Sequence, residues 1–335
     1  MLLPLLLALS IIIAAAKLGG WLASLIGQPT VLGKLLIGLI LGPSILNIFG
    51  REYFGNEYFQ PEHLKETLHL LGELGVIFLM FIAGLEIDLG EMRKSGVAAT
   101  LVGTSGVIVP LILGALTSVA FGYSWVSAIF IGVVLTATSV SISAQTLIEL
   151  GKLRSREGLT ILGAAVVDDV LGIAVLSAFV AIALGGSEGG TGAIWITIAQ
   201  MFVFLIASAL LAYFVVPRIL HYAEKLPVSQ PMVAAVVVIT LLFAWSSESL
   251  GKVAPITGAF VLGAGLSGSR FKHEIEDGLK GLAYAFLVPI FLVNIGLTAN
   301  VRELSSNDMG LAIAICIVAV ISKVVGCGLG ARISG

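Results

Sequence analysis

Residues 159–179 read LTILGAAVVDDVLGIAVLSAF, an apolar run whose only charges are two adjacent acids, Asp168 and Asp169. A run of about 20 apolar residues is long enough to cross a hydrocarbon core roughly 30 Å thick. The acids fall about ten residues into it, which at helical rise is roughly 15 Å deep, near the midplane. An acidic side chain there costs on the order of 3 kcal/mol even on the most lenient insertion scale, so the pair must face a cavity or find partners. Neighbours on a helix point about 100° apart, so one carboxylate can meet a partner helix while the other faces a water-filled pocket. Neutral Asn or Ser would hold helices together more cheaply, and an ion site is therefore expected rather than a structural polar network.

Working outward, comparable runs recur along all 335 residues: approximately 2–26, 30–48, 67–85, 96–120, 125–148, 159–184, 193–217, 230–247, 255–268, 279–298 and 309–331. Hydrophobic residues make up 58% of the chain and charged residues 11%, against about 25% charged in a soluble domain. The expectation is an all-α polytopic membrane protein with about eleven transmembrane helices. The second and ninth runs are short and carry Gly33, Gly38, Gly42 and Pro43, and Pro255, Gly258, Gly263 and Gly265, so tilt or irregularity is expected there. The first run lacks a basic leader and a small-residue cleavage site and is read as a retained span. With the N-terminus outside, Arg93, Lys94, Lys152, Arg154, Arg156, Arg218, Lys225, Arg270, Lys272, Lys280 and Arg332 fall in or beside cytoplasmic loops, and only Arg51, Lys65, Lys252 and Arg302 fall outside. That asymmetry places the C-terminus inside the cell. A net charge of -2 points to no nucleic-acid partner.

Other polar residues sit too deep to be ordinary loop residues. Lys323 lies about fifteen residues into the eleventh run, beyond the reach of a snorkelling end residue, and Asp168 is its expected partner. The fifth run carries TATSVSIS at 136–143, whose hydroxyls compete for backbone hydrogen bonds and loosen a helix. Unwound backbone at mid-membrane is tolerated only where it lines a cavity, and its carbonyls and hydroxyls are hard oxygen ligands suited to an alkali cation. Glu73 and Glu86 bracket the third run and are read as interfacial. Cys316 and Cys327 lie about three helical turns apart, too far to bridge.

The stretches FLMFIAGLEID at 78–88, LTATSVSISAQTL at 135–147, GAAVVDDVLG at 163–172, TGAFVLGAGLSGS at 257–269 and FLVPIFLVNIGL at 286–297 together resemble the monovalent cation:proton antiporter-2 family, most closely its NapA-type sodium/proton antiporters. The resemblance implies thirteen helices in two inverted six-helix repeats around a linking helix, with a discontinuous crossing helix in each repeat. This chain runs to ARISG, just past the eleventh run. On that plan residues 1–90 and 227–300 are scaffold and dimerisation helices, 91–185 and 301–335 belong to the ion-carrying core, and 186–226 hold the linking helix. Carried over residue by residue, Asp169 binds the cation (Na⁺) or the proton, Asp168 pairs with Lys323 in the proton-loaded or ion-free state, and Thr138 and Ser139 mark the first crossing helix, so that Asp168, Asp169, Thr138 and Ser139 are the implied cation/proton-site residues.

The implied activity is exchange of Na⁺, or Li⁺, for H⁺ by alternating access. The chain is expected to be no enzyme, to need no cofactor beyond the transported ions, and to work as a homodimer in the inner (plasma) membrane. Rival readings are a potassium efflux system of the same superfamily and a non-transporting sensor or subunit. An intramembrane aspartyl protease is disfavoured, because its two acids must face one another from different helices, whereas neighbours in sequence diverge.

Overall fold

The computed structural model describes residues 2–50, 61–87, 90, 95–183, 191–303 and 306–334, and among these every regular element is helical. The helices are α1 (Leu2–Leu25), α2 (Thr30–Leu41), α3 (Pro61–Glu86), α4 (Gly96–Ala120), α5 (Trp125–Thr136), α6 (Val140–Glu149), α7 (Arg156–Ala183), α8 (Thr191–Leu210), α9 (Val216–Ala223), α10 (Pro231–Ser249), α11 (Pro255–Leu266), α12 (Lys272–Leu282), α13 (Val288–Thr298) and α14 (Ser306–Ser334). Nine spans of the described residues are long and apolar enough to cross a membrane, with α5–α6, α8–α9 and α12–α13 each counting once. The short apolar helices α2 and α11 bring the count to the eleven expected. Arg51, Arg93 and Lys94 of the loop-charge asymmetry lie outside the described residues.

Several boundaries move for identifiable reasons. The second run, expected to reach residue 48, stops at Leu41, where Gly42 turns extended (φ -73, ψ -177); Pro43 disfavours helical backbone in the residue before it. The tenth begins at Lys272 rather than 279, because KHEIEDGLKGL is a polar first segment that hydropathy overlooks. Five-residue π turns at Leu211–Val215 and Ala283–Leu287 each precede a Val-Pro pair at 216–217 and 288–289. A proline offers no N–H and crowds the carbonyl a turn behind it, and widening the helix there accommodates both.

The helices pack in two groups. In one, α4 packs on α5, α7 and α14; in the other, α1, α2 and α13 pack together beside α3, α10 and α11. α6 leaves its own group to touch α2 and α3. An inverted repeat is visible in the glycines of α2 and α11. Gly33 and Gly38 are five residues apart, as are Gly258 and Gly263. A Cβ on Gly33 would strike the backbone of α1 at Gly19, and one on Gly258 the backbone of α10 at Phe243. A Cβ on Gly38 would strike α13 at Val293, and one on Gly263 would strike α3 at Phe81. Each short helix is thus pinned between two neighbours by direct backbone approach, the small-residue packing of membrane interiors. The outer surface is apolar: α14 exposes Ile313, Ile317, Val320 and Val324, and α8 exposes Phe202, Val203, Ile206 and Leu210. Such faces belong against lipid rather than water.

Candidate ion site

The fifth run is broken where its hydroxyls crowd. α5 ends at Thr136, Ala137 is extended (φ -66, ψ 121), and α6 restarts at Val140 with Ser139 as its N-cap, the Ser139 hydroxyl accepting from the Ile142 N–H at 3.4 Å. The break leaves the carbonyl end of one short helix and the N–H end of another inside the bundle, where the partial charges of the two helix ends are felt. Thr136 turns its hydroxyl back onto Val133 O at 2.7 Å, and the Thr138 hydroxyl, 3.2 Å from Thr136 O, is also within reach of Asp168.

Lys323, on α14, answers the carbonyl end. Its Nζ donates to Thr136 O at 2.9 Å and sits 3.3 Å from Asp168 Oδ2 and 3.5 Å from Oδ1. One ammonium therefore compensates both the end of α5 and a buried carboxylate of α7, and ties α5, α7 and α14 together.

Asp169 points elsewhere, as the 100° step between neighbours requires. Its Oδ2 accepts from the Thr257 hydroxyl at 3.1 Å, in the first turn of α11. Beside it is a small cavity of ≈ 10 Å³ lined also by Met80, Val140, Leu162, Val166 and Phe260, about the room of one water-sized sphere. Val140 opens α6, so the positive helix end borders the same cavity as the carboxylate. The adjacent acids are thus unlike: Asp168 is buried and matched by a fixed cation, and Asp169 is partly buried with one hydroxyl donor among the described residues.

The structure brings Asp168, Lys323 and Thr138 together and holds Asp169 one helix face away. Ser139 is exposed and serves α6 as a cap; among the described residues it makes no hydrogen bond to either carboxylate. Glu73 is half-exposed beside His69 at 3.3 Å, and Glu86 pairs with Lys280 at 2.6 Å. Both cysteines are free. Two features went unread in the sequence. One is Thr257, two residues after Pro255 in the ninth run. Lys34, inside the short second run, pairs with Glu149 at 3.2 Å, both side chains mostly buried, with the Thr30 hydroxyl and Gln145 on the same carboxylate. A lone lysine within an apolar run was the available signal.

These features define a class first: an all-helical polytopic membrane protein with an inverted-repeat antiporter fold, broken at mid-span beside buried opposite charges. The family description "Sodium/hydrogen exchanger, transmembrane" matches residues 12–335. The chain is 38% identical over 327 residues to the probable Na⁺/H⁺ antiporter GerT of Bacillus cereus, covering 98% of this chain and 82% of that one. It is equally identical over the same length to the Na⁺/H⁺-K⁺ antiporter GerN of Bacillus cereus, with 98% and 80% covered, and 34% identical over 326 residues to an Na⁺/H⁺ antiporter of Enterococcus hirae, with 97% and 81% covered. The sodium proton antiporter MjNhaP1 of Methanocaldococcus jannaschii superposes with a TM-score of 0.71 at 17% identity, covering 98% of this chain and 78% of that one. The chain belongs to the sodium/hydrogen exchanger family of monovalent cation:proton antiporters.

Proposed function

We propose that this chain exchanges Na⁺, with Li⁺ as a possible substitute, for H⁺ by alternating access, and that Asp169 is the carboxylate the two ions share. The observation that carries the reading is the inequality of the two acids. Asp168 already has its counter-ion in Lys323, whereas among the described residues Asp169 has the Thr257 hydroxyl and a cavity with room for one water-sized sphere. A carboxylate in that setting needs a proton or a cation to be neutral, and it can hold one of them at a time. Exchange follows if the site crosses only when loaded, because two conformations with different exposure of one site suffice for coupling. Residues 91–185 and 301–335 would form the moving body, and residues 1–90 and 227–300 the scaffold and homodimer contact. Ser139 would contribute by capping α6 after the break, and Thr138 through its hydroxyl beside Asp168. The protein would sit in the plasma membrane with its N-terminus outside, need no resident cofactor and catalyse no covalent chemistry.

A second reading has specific support: GerN, as similar to this chain as GerT, is named for potassium as well as sodium, so K⁺ is a candidate cargo. The deciding experiment places the chain in liposomes holding a pH-sensitive dye. Sodium, lithium and potassium are then added in turn. Proton movement driven by sodium or lithium supports the first reading and movement driven by potassium alone supports the second. Cation uptake without protons would sink both.

A further inference from the structure

A large cavity lies away from the ion site. It measures about 1020 Å³ and opens between the end of α3, the loop entering α7, the α8–α9 junction and the turn from α11 to α12. Among the described residues, four fixed cations line it, Arg154, Arg218, Arg270 and Lys272, together with His221 and one carboxylate, Glu86, which Lys280 holds at 2.6 Å. Arg270 also touches Glu224 at 2.8 Å. Two further donors face the same space. The Ser269 hydroxyl is buried with no hydrogen-bond partner among the described residues, and α12 begins at Lys272 with Phe271 at its N-cap and no side chain capping its free N–H groups. Cationic side chains, an idle hydroxyl and an uncapped helix N-terminus are the donors an anionic phosphate would use.

A second cavity of about 610 Å³ shares Tyr213, Phe214 and Gly265 with the first. It runs away from the charges between α4 and α7 on one side and α8 and α11 on the other, walled by Val167, Leu205, Ile206, Ala209 and Val261. A basic chamber that continues into an apolar groove within a membrane-spanning bundle has the two halves of an amphiphile. We propose that the pair of cavities is a binding site for one anionic phospholipid, its phosphate among Arg154, Arg218, Arg270 and Lys272 and one acyl chain in the groove. A free phosphate would satisfy the chamber and leave the groove unused. Because Arg154 leads into α7 while Arg270 lies in the turn from α11 to α12, the headgroup bridges the two groups.

The test is native mass spectrometry of the purified chain titrated with phosphatidylglycerol or phosphatidylcholine, beside thermal-shift measurements with inorganic phosphate alone. One phosphatidylglycerol is expected to be retained in preference to phosphatidylcholine. The Arg218→Gln/Arg270→Gln variant should bind it on the order of 30-fold more weakly, from the usual worth of two basic contacts to an anionic lipid, and Arg218→Lys/Arg270→Lys should recover most of that loss. Ala209→Trp, which fills the groove from the exposed face of α8, should reduce retention of phosphatidylglycerol while leaving any response to phosphate unchanged. Equal retention by the wild type and the Gln variant would overturn the site. Protection by phosphate equal to that by lipid, with no effect of Ala209→Trp, would overturn the lipid and leave a free-anion site.

Discussion

Removing the charge of Lys323 should be costly, and the cost should depend on Asp168. Lys323→Met leaves a carboxylate that is 8% exposed without its cation and Thr136 O without its donor. Breaking one side of a buried pair costs about 3–5 kcal/mol, and because the lysine side chain is 22% exposed the lower figure, about 3 kcal/mol, is appropriate. At roughly 2 °C per kcal/mol for a chain of this size, the melting temperature should fall by about 6 °C. Asp168→Asn should cost a comparable amount by leaving the ammonium unpaired. The double variant carries neither charge, and neutral replacement of a buried pair is often close to harmless, so its loss should be only about 2 °C. The assay is thermal unfolding in detergent followed by tryptophan fluorescence, read as a double-mutant cycle. If the losses of the single variants simply add, near 12 °C in the double by the same scale, the two side chains are not coupled and the account of Lys323 is wrong.

Three further outcomes follow from the geometry. Thr257→Val keeps the shape of the side chain but removes the hydroxyl that donates to Asp169, so half-saturation for the cation should rise by about five- to tenfold, the worth of one hydrogen bond, with unfolding temperature little changed. Gly263→Ala should destabilise by about 1–3 kcal/mol because its Cβ meets the backbone of α3 at Phe81, the scale of overpacking; Gly281→Ala, with open space around the same atom, should be neutral or stabilising in the same unfolding assay. Lowering the pH should raise the apparent half-saturation for the cation without lowering the maximal rate at saturating cation, because a proton on Asp169 excludes it; initial rates over a matrix of pH and cation concentration check this.

Which features were readable in advance follows from the energetics. A charge buried in an apolar run costs several kcal/mol, so Asp168, Asp169 and Lys323 stand out from their surroundings with no structural knowledge. The pairing of Asp168 with Lys323 needed only opposite sign and similar depth. The break after Thr136 was signalled by hydroxyls dense enough to compete with the backbone. Thr257 was invisible because one threonine in an apolar helix costs almost nothing, and only the fold brings α11 against α7. Lys34 and Glu149 were overlooked because each lies near a helix end, where a charge alone is unremarked, and their partnership spans 115 residues. Ser139 was marked for the crossing helix, and its hydroxyl stands there as the N-cap of α6.

The measurement that bears most directly on the shared carboxylate compares wild type, Asp169→Asn and Thr257→Val in proteoliposomes, with proton movement and cation uptake recorded together across pH. Asp169→Asn is expected to abolish both at every pH, while Thr257→Val shifts only the cation dependence. Coupled exchange persisting in Asp169→Asn would contradict the claim that one carboxylate serves both ions.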